Sequence, residues 1–228
     1  FIDIFIARRI VNFRTLGYSS IVYTMFNIMK DIRDLDIFTL RDTLRTKIDE
    51  MEETFDAVWR FYLHQQNYSR TKHLLARITA HIEQKSGMNT DFDTYIRLDV
   101  TKPFEIEHIW ADKFARHTDE FDHPEDFARQ RNHFGGLILL PRGFNQSYGD
   151  LPYEDKLPHY NTQNLLARTL HPQCYERNPS FLHYKQESDL PFQLHAQFKK
   201  ADLDARQELY RQICEEIWNP DRLDRELE

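Results

Sequence analysis

Cysteine, glycine and long apolar runs are what this sequence lacks. Its 228 residues hold only two cysteines, Cys174 and Cys214, with no CxxC pair. That excludes a disulfide framework and a zinc–thiolate site, and it fits a reducing, cytoplasmic setting. Six glycines and nine prolines are too few for an all-β chain built on many tight turns. No run approaches the roughly 20 apolar residues that a membrane span needs, which excludes a membrane partner of that kind. GxGxxG, P-loop and GxSxG motifs are missing as well. The chain opens at Phe1 without a Met or a secretory signal, which reads as a segment of a longer protein.

What is present is charge, unevenly placed. Residues 1–100 carry 14 Lys and Arg against 14 Asp and Glu; residues 101–228 carry 16 against 23, together with eight of the eleven histidines. The whole net charge of −7 therefore falls on the second part. An acidic half argues against a non-specific grip on nucleic acid, which depends on neutralising phosphates. Carboxylate and imidazole together are, however, the materials of a metal-assisted hydrolytic site.

Apolar spacing makes the first hundred residues a helical array. Ile2, Phe5, Ile6, Ile10 and Phe13 fit one helical face, and Ile21, Val22, Met25, Phe26, Met29 and Ile32 another. Phe55, Val58, Trp59 and Tyr62 recur at the same period. A helix N-capped by Ser69 buries Leu74, Leu75, Ile78 and Ile82 and stops at Gly87. These stripes read as core. Met88 to Asp99 is polar and turn-rich and marks a domain boundary, giving a helical region over 1–98 and a second domain over 99–228. Near the C-terminus Tyr160 to Leu170 reads as one helix and residues 172–200 as loop-rich, with weak periodicity. In a final helix capped by Asp202, Leu209, Ile213 and Ile217 share a face with Tyr210, Cys214 and Trp218.

The middle changes period. Phe104 to Trp110 alternates apolar and polar, the pattern of a half-buried strand. Pro124 opens a short helix running to about Asn132. Gly135-Gly136 ends it, and Leu137 to Leu140 forms a buried strand closed by Pro141. The expected class is α+β, predominantly helical, around one small hairpin. On its first strand Glu107 and His108 are neighbours, so their side chains point to opposite faces unless the strand end twists. From spacing alone, this is an ordinary strand with a polar face of Glu105, Glu107 and His108.

The segments IEHIWADKF and RNHFGGLILLPRGFNQSYGDLPYEDK, in strand–turn–strand–helix order, resemble the C-terminal HNH-type nuclease domain of the GmrSD family of type IV restriction enzymes. That family shows an acidic residue before His-Ile-x-Pro, then Gly-Asn-Leu-Thr-Leu-Leu, an Asn and a downstream Lys. FIARRIVN, TKHLLARITAHIE and ARQELYRQICEEIW resemble its flanking helices more loosely. The resemblance implies a ββα-metal core in the 99–228 domain and a metal-dependent DNA endonuclease of anti-phage defence, acting on modified foreign DNA. It makes His108 the general base and gives one divalent ion, Mg²⁺ or Mn²⁺, to Glu107 and Asn145. Lys156 matches the downstream Lys and, with Arg142 as a weaker second, is assigned to phosphate. An NTPase or sensor domain preceding this segment is the implied partner, with DNA as substrate.

Two departures stand out. Gly136 replaces the Asn of Gly-Asn-Leu, the middle letter of H-N-H, and leaves Asn132 and His133 as candidates to brace the base. Ala111 stands where the family has Pro. Gly136 keeps a second reading open: a catalytically impaired module of the same fold, binding DNA or assembling with the preceding domain. A purely helical interaction protein, with the EHIW strand as core, is a third. Of the remaining histidines, scattered without i, i+4 pairing, His133 and His159 flank the expected site.

Overall fold

The computed structural model describes residues 1–225, with the side chains of Asn145, Gln146 and Arg225 outside that description. In chain order the helices begin with α1 (Ile2–Val11), α2 (Tyr18–Ile32) and α3 (Ile37–Asp49). Next come α4 (Tyr68–Lys85), α5 (Asp93–Ile96), strand β1 (Phe104–His108), α6 (Pro124–Arg131) and strand β2 (Leu137–Pro141). After the strands follow α7 (Phe144–Tyr148), α8 (Tyr153–Tyr160), α9 (Leu165–Arg168) and α10 (Pro179–Ser188). The chain closes with α11 (Lys200–Ile217) and α12 (Arg222–Arg225). The fold is mostly helical with one small two-stranded antiparallel sheet, as the sequence leads one to expect.

Two compact units divide the chain: residues 1–61 with 214–228, and residues 62–213. The second unit includes α4, which packs on β2 and α9. In the first unit α1 buries Ile4, Phe5, Ala7, Ile10 and Val11. Helix α2 forms where its apolar stripe predicts, yet only Ile28 is buried; Val22, Phe26 and Met29 are exposed. Periodicity located that helix without showing whether anything covers its face. Phe55–Arg60 is a 3₁₀ turn burying Phe55 and Val58, while Trp59 is exposed.

In the second unit the sheet pairs Phe104 with Pro141 through to His108 with Leu137. Leu137, Ile138, Leu139 and Leu140 are all buried, so β2 is a core strand on both faces, with α4, α7 and α9 against it. Each such side chain contributes roughly 1.5–3 kcal/mol on leaving water. The 28-residue connection from Ile109 to Gly136 carries α6 and an aromatic cluster. There the Trp110 ring meets Phe127 at 5.8 Å and Phe121 at 5.9 Å, and its indole N–H donates to the Phe198 carbonyl at 2.6 Å.

Two expectations are corrected downstream. Tyr160 to Leu170 is not one helix: α8 ends at Tyr160, and the Asn164 side chain caps a new short helix, α9, by accepting from Ala167 N at 3.0 Å. Residues 172–200, expected to be loop-rich with weak periodicity, nevertheless hold a ten-residue helix, α10, which starts at Pro179 with Asn178 as cap.

Gly135-Gly136 lies against α11. Gly135 N–H donates to the Gln207 side-chain oxygen, and a Cβ on Gly135 would sit 2.6 Å from the Leu203 carbonyl oxygen. Backbone cannot yield as a side-chain tip can. Gly135→Ala should therefore destabilise the chain by about 3 kcal/mol in urea titration, and an unchanged midpoint would contradict this packing. At Gly136 a Cβ would meet Leu203 Cδ1 at 3.1 Å and the Arg131 carbonyl oxygen at 3.2 Å. A side chain at Gly136 would thus be crowded between the Leu203 tip and the Arg131 carbonyl.

Candidate active site

Glu107 is buried, and a buried carboxylate needs a partner. Lys156 of α8 supplies it. Its Nζ lies 2.6 Å from Glu107 Oε1 and donates to the His108 carbonyl at 3.0 Å, and the two side chains are 1% and 6% exposed. Burial pushes the Glu107 carboxyl up and the Lys156 ammonium down, each held back by the charge of the other. The pair fastens α8 to the end of β1.

His108, at the exit of β1, is half-buried, and its Nε2 lies 2.8 Å from Asn132 Oδ1. The Asn132 amide is oriented by its own Nδ2, which donates to the Ala128 carbonyl at 2.8 Å. With Oδ1 thus turned toward the ring, neutral His108 carries its proton on Nε2 and keeps the Nδ1 lone pair. Among the described residues no hydrogen bond occupies Nδ1. Burial, then the charges of Arg131 and Lys156, lower the imidazole pKa from 6.5 to about 4; the Asn132 bond and Asp112 oppose them. At neutral pH His108 is therefore an uncharged base with a defined tautomer.

Asn132, not His133, is hydrogen-bonded to the His108 ring. Asn132→Ala would leave Nε2 without its acceptor and free the ring to take the other tautomer. The expected loss in any His108-dependent rate is on the order of 10²-fold, with a near-native melting temperature. An unchanged rate would show that the bond does not orient the ring.

The remaining expected residues are dispersed. Arg142 pairs with Glu105 at 2.7 Å. Three residues at about 3.4 Å each separate Glu105 from His108 along β1, so this pair stands roughly 10 Å along the strand from the base. Asn145 lies on α7, but its side chain is outside the described residues. The His159 ring stacks on Tyr148 at 4.1 Å, and His133 makes an isolated bridge with Tyr62.

A divalent ion at Glu107 would have to share a carboxylate with an ammonium 2.6 Å away. As arranged, Glu107 does not fit that role, and among the described residues no three His, Cys, Asp or Glu side chains form a metal cage. Equally, Lys156 is spent on Glu107 and buried beneath the surface that a phosphate would reach.

The model of the GmrSD restriction endonucleases, C-terminal domain, covers residues 49–213. The chain belongs to this family. No curated protein and no solved structure matches the chain. The family match holds the hairpin, His108, Asn132 and Lys156, and it ends at Ile213, where the second compact unit ends. As a member of the GmrSD C-terminal family, the chain is a domain associated with restriction endonucleases, and family membership suggests nuclease activity. Among the described residues no helix is long and apolar enough to cross a membrane.

Two residues near the base were missed in the sequence. Arg131 donates from Nε to the Trp110 carbonyl at 3.0 Å, and the exposed Asp112 is close enough to act electrostatically on both Arg131 and His108. Adjacency of Arg131 to Asn132 was the only signal available, and it has meaning only once Asn132 is known to reach His108.

Proposed function

We propose that this domain is an HNH-type endonuclease with a ββα-metal core, hydrolysing DNA phosphodiester bonds in a restriction protein of the cytoplasm directed at modified foreign DNA. The observation that carries the reading is His108: a neutral imidazole at a strand exit, its Nε2 proton held by Asn132, its Nδ1 free to accept. Nδ1 takes a proton from water, the resulting hydroxide attacks phosphorus, and the P–O bond to the leaving sugar breaks. The leaving oxygen is protonated from solvent. Cys174 and Cys214, both buried and not joined in a disulfide, are in keeping with a reducing compartment.

Mg²⁺ or Mn²⁺ is the cofactor that the family resemblance implies, with Glu107 and Asn145 as its ligands. With Lys156 at Glu107, no step here is assigned to the ion. A preceding NTPase or sensor domain remains the proposed partner, and it would add to the DNA affinity of this acidic chain. The alternative, an impaired module of the same fold, is favoured by Gly136, which bears no side chain to brace the base; the Asn132 amide supplies that brace from a different position.

Plasmid conversion by wild type beside His108→Ala, with Mg²⁺, with Mn²⁺ and with chelator, tests the reading. Cleavage by wild type alone supports it. Silence of the wild type with DNA bound leaves the impaired module as the better description.

A further inference from the structure

We propose that Arg131 is the phosphate-binding cation of this site, receiving the non-bridging oxygens of the phosphodiester beside His108. The inference rests on the nuclease reading and names a group that the reading otherwise lacks. A phosphodiester next to the base needs a positive donor, and both cations expected for that role are engaged elsewhere. Lys156 is locked to Glu107 at 2.6 Å under the surface, and Arg142 is paired to Glu105 at 2.7 Å further along the strand.

Arg131 is placed differently. Together with Asn132 it forms the end of α6, and these two consecutive residues grip the strand exit at two points. Asn132 takes the His108 ring at 2.8 Å, and Arg131 Nε donates to the carbonyl of Trp110, two residues further on, at 3.0 Å. That bond fixes the plane of the guanidinium and uses only its Nε. Among the described residues, no hydrogen bond or ion pair occupies Nη1 or Nη2. These two bonds place the guanidinium at the same strand exit as the His108 ring. A planar donor edge, oriented and uncommitted next to a base, suits two phosphate oxygens better than a point charge does. It would also neutralise charge that grows on those oxygens as hydroxide adds.

The test measures affinity of the full chain for a short DNA duplex against salt, in a His108→Ala background so that the duplex survives. Replacing one phosphate-contacting cation should reduce the slope of log K against log[salt] by about 0.9. Arg131→Gln is expected to show that reduction, and in the His108-containing protein to lower plasmid cleavage on the order of 10²-fold. Arg131→Lys should keep the slope and lose part of the rate, since charge remains but the fork does not.

Each outcome is distinct. Should Arg131→Gln only lower the melting temperature, with slope and rate as in wild type, Arg131 merely supports the Trp110 carbonyl and the proposal falls while the nuclease stands. If wild type and His108→Ala cleave alike, the nuclease reading fails, whereas a reduced slope would still mark Arg131 as a phosphate contact. If the wild type neither binds nor cuts DNA, both are overturned.

Discussion

Lys156→Met should destabilise the second unit by about 3–5 kcal/mol, the usual cost of stranding one partner of a buried ion pair. The substitution keeps an unbranched apolar stem as far as Cε, with sulfur in place of one methylene, and removes the ammonium. Glu107 then stays buried with its charge uncompensated. The His108 carbonyl also loses a donor, at 3.0 Å, directly beside the base. Glu107→Gln alone should cost less, because a neutral amide still accepts from Lys156, although it strands the ammonium. In the double variant Glu107→Gln/Lys156→Met no buried charge remains, and the loss should be well below the sum of the two single losses. Urea unfolding of the four proteins measures the coupling. Additive losses would mean that the two side chains do not depend on each other, and the placement of α8 on β1 would need another explanation.

This pair also shows where sequence reading stops. Each partner was legible as an individual: Glu107 by its place before His108, Lys156 by its match to a family motif. Their bond spans 49 positions, with α6, β2, α7 and the start of α8 in between. Nothing local in the sequence distinguishes a lysine committed to a buried carboxylate from one that reaches phosphate. Local signals did well where the physics is local. The alternation over β1, Pro124 at the start of α6 and the apolar run of β2 each marks an element within a few residues of its observed ends.

They failed where burial or competition between caps decides. The stripe on α2 meets the periodicity criterion of a core helix, yet none of its residues is buried and half are exposed, since period reports a face and not what lies on it. Tyr160 to Leu170 holds enough apolar residues for a helix, but the Asn164 side chain does more for the backbone as an N-cap than as a helix interior residue. At the site, Asn132 and His133 were indistinguishable by sequence. Placement at the C-terminal end of α6, with one amide group bonded back to Ala128, turns the other group of Asn132 toward His108.

His108→Ala should lower DNA cleavage by about 10²–10⁴-fold, the usual contribution of a positioned general base, with pH as the diagnostic variable. Four groups set the imidazole pKa alongside burial: Arg131 and Lys156 lower it, while Asn132 and Asp112 raise it, with a net value of about 4. Only neutral imidazole can accept a proton, so activity should rise with pH through about 4 and be level by neutrality. An acid limb centred near 6.5 would mean that the ring is solvated and free of its cationic neighbours. The same shift predicts a stability effect of fixed sign. Protonation is harder in the folded chain than in the unfolded one, so His108 favours folding fully above pH 6.5. That contribution is lost as pH falls from 6.5 toward about 4. Melting temperatures across this interval should decline less steeply in His108→Ala than in wild type. If the two curves stay parallel, His108 is not the depressed histidine, and the reading of a neutral base with a defined tautomer loses its foundation even if the variant is inactive.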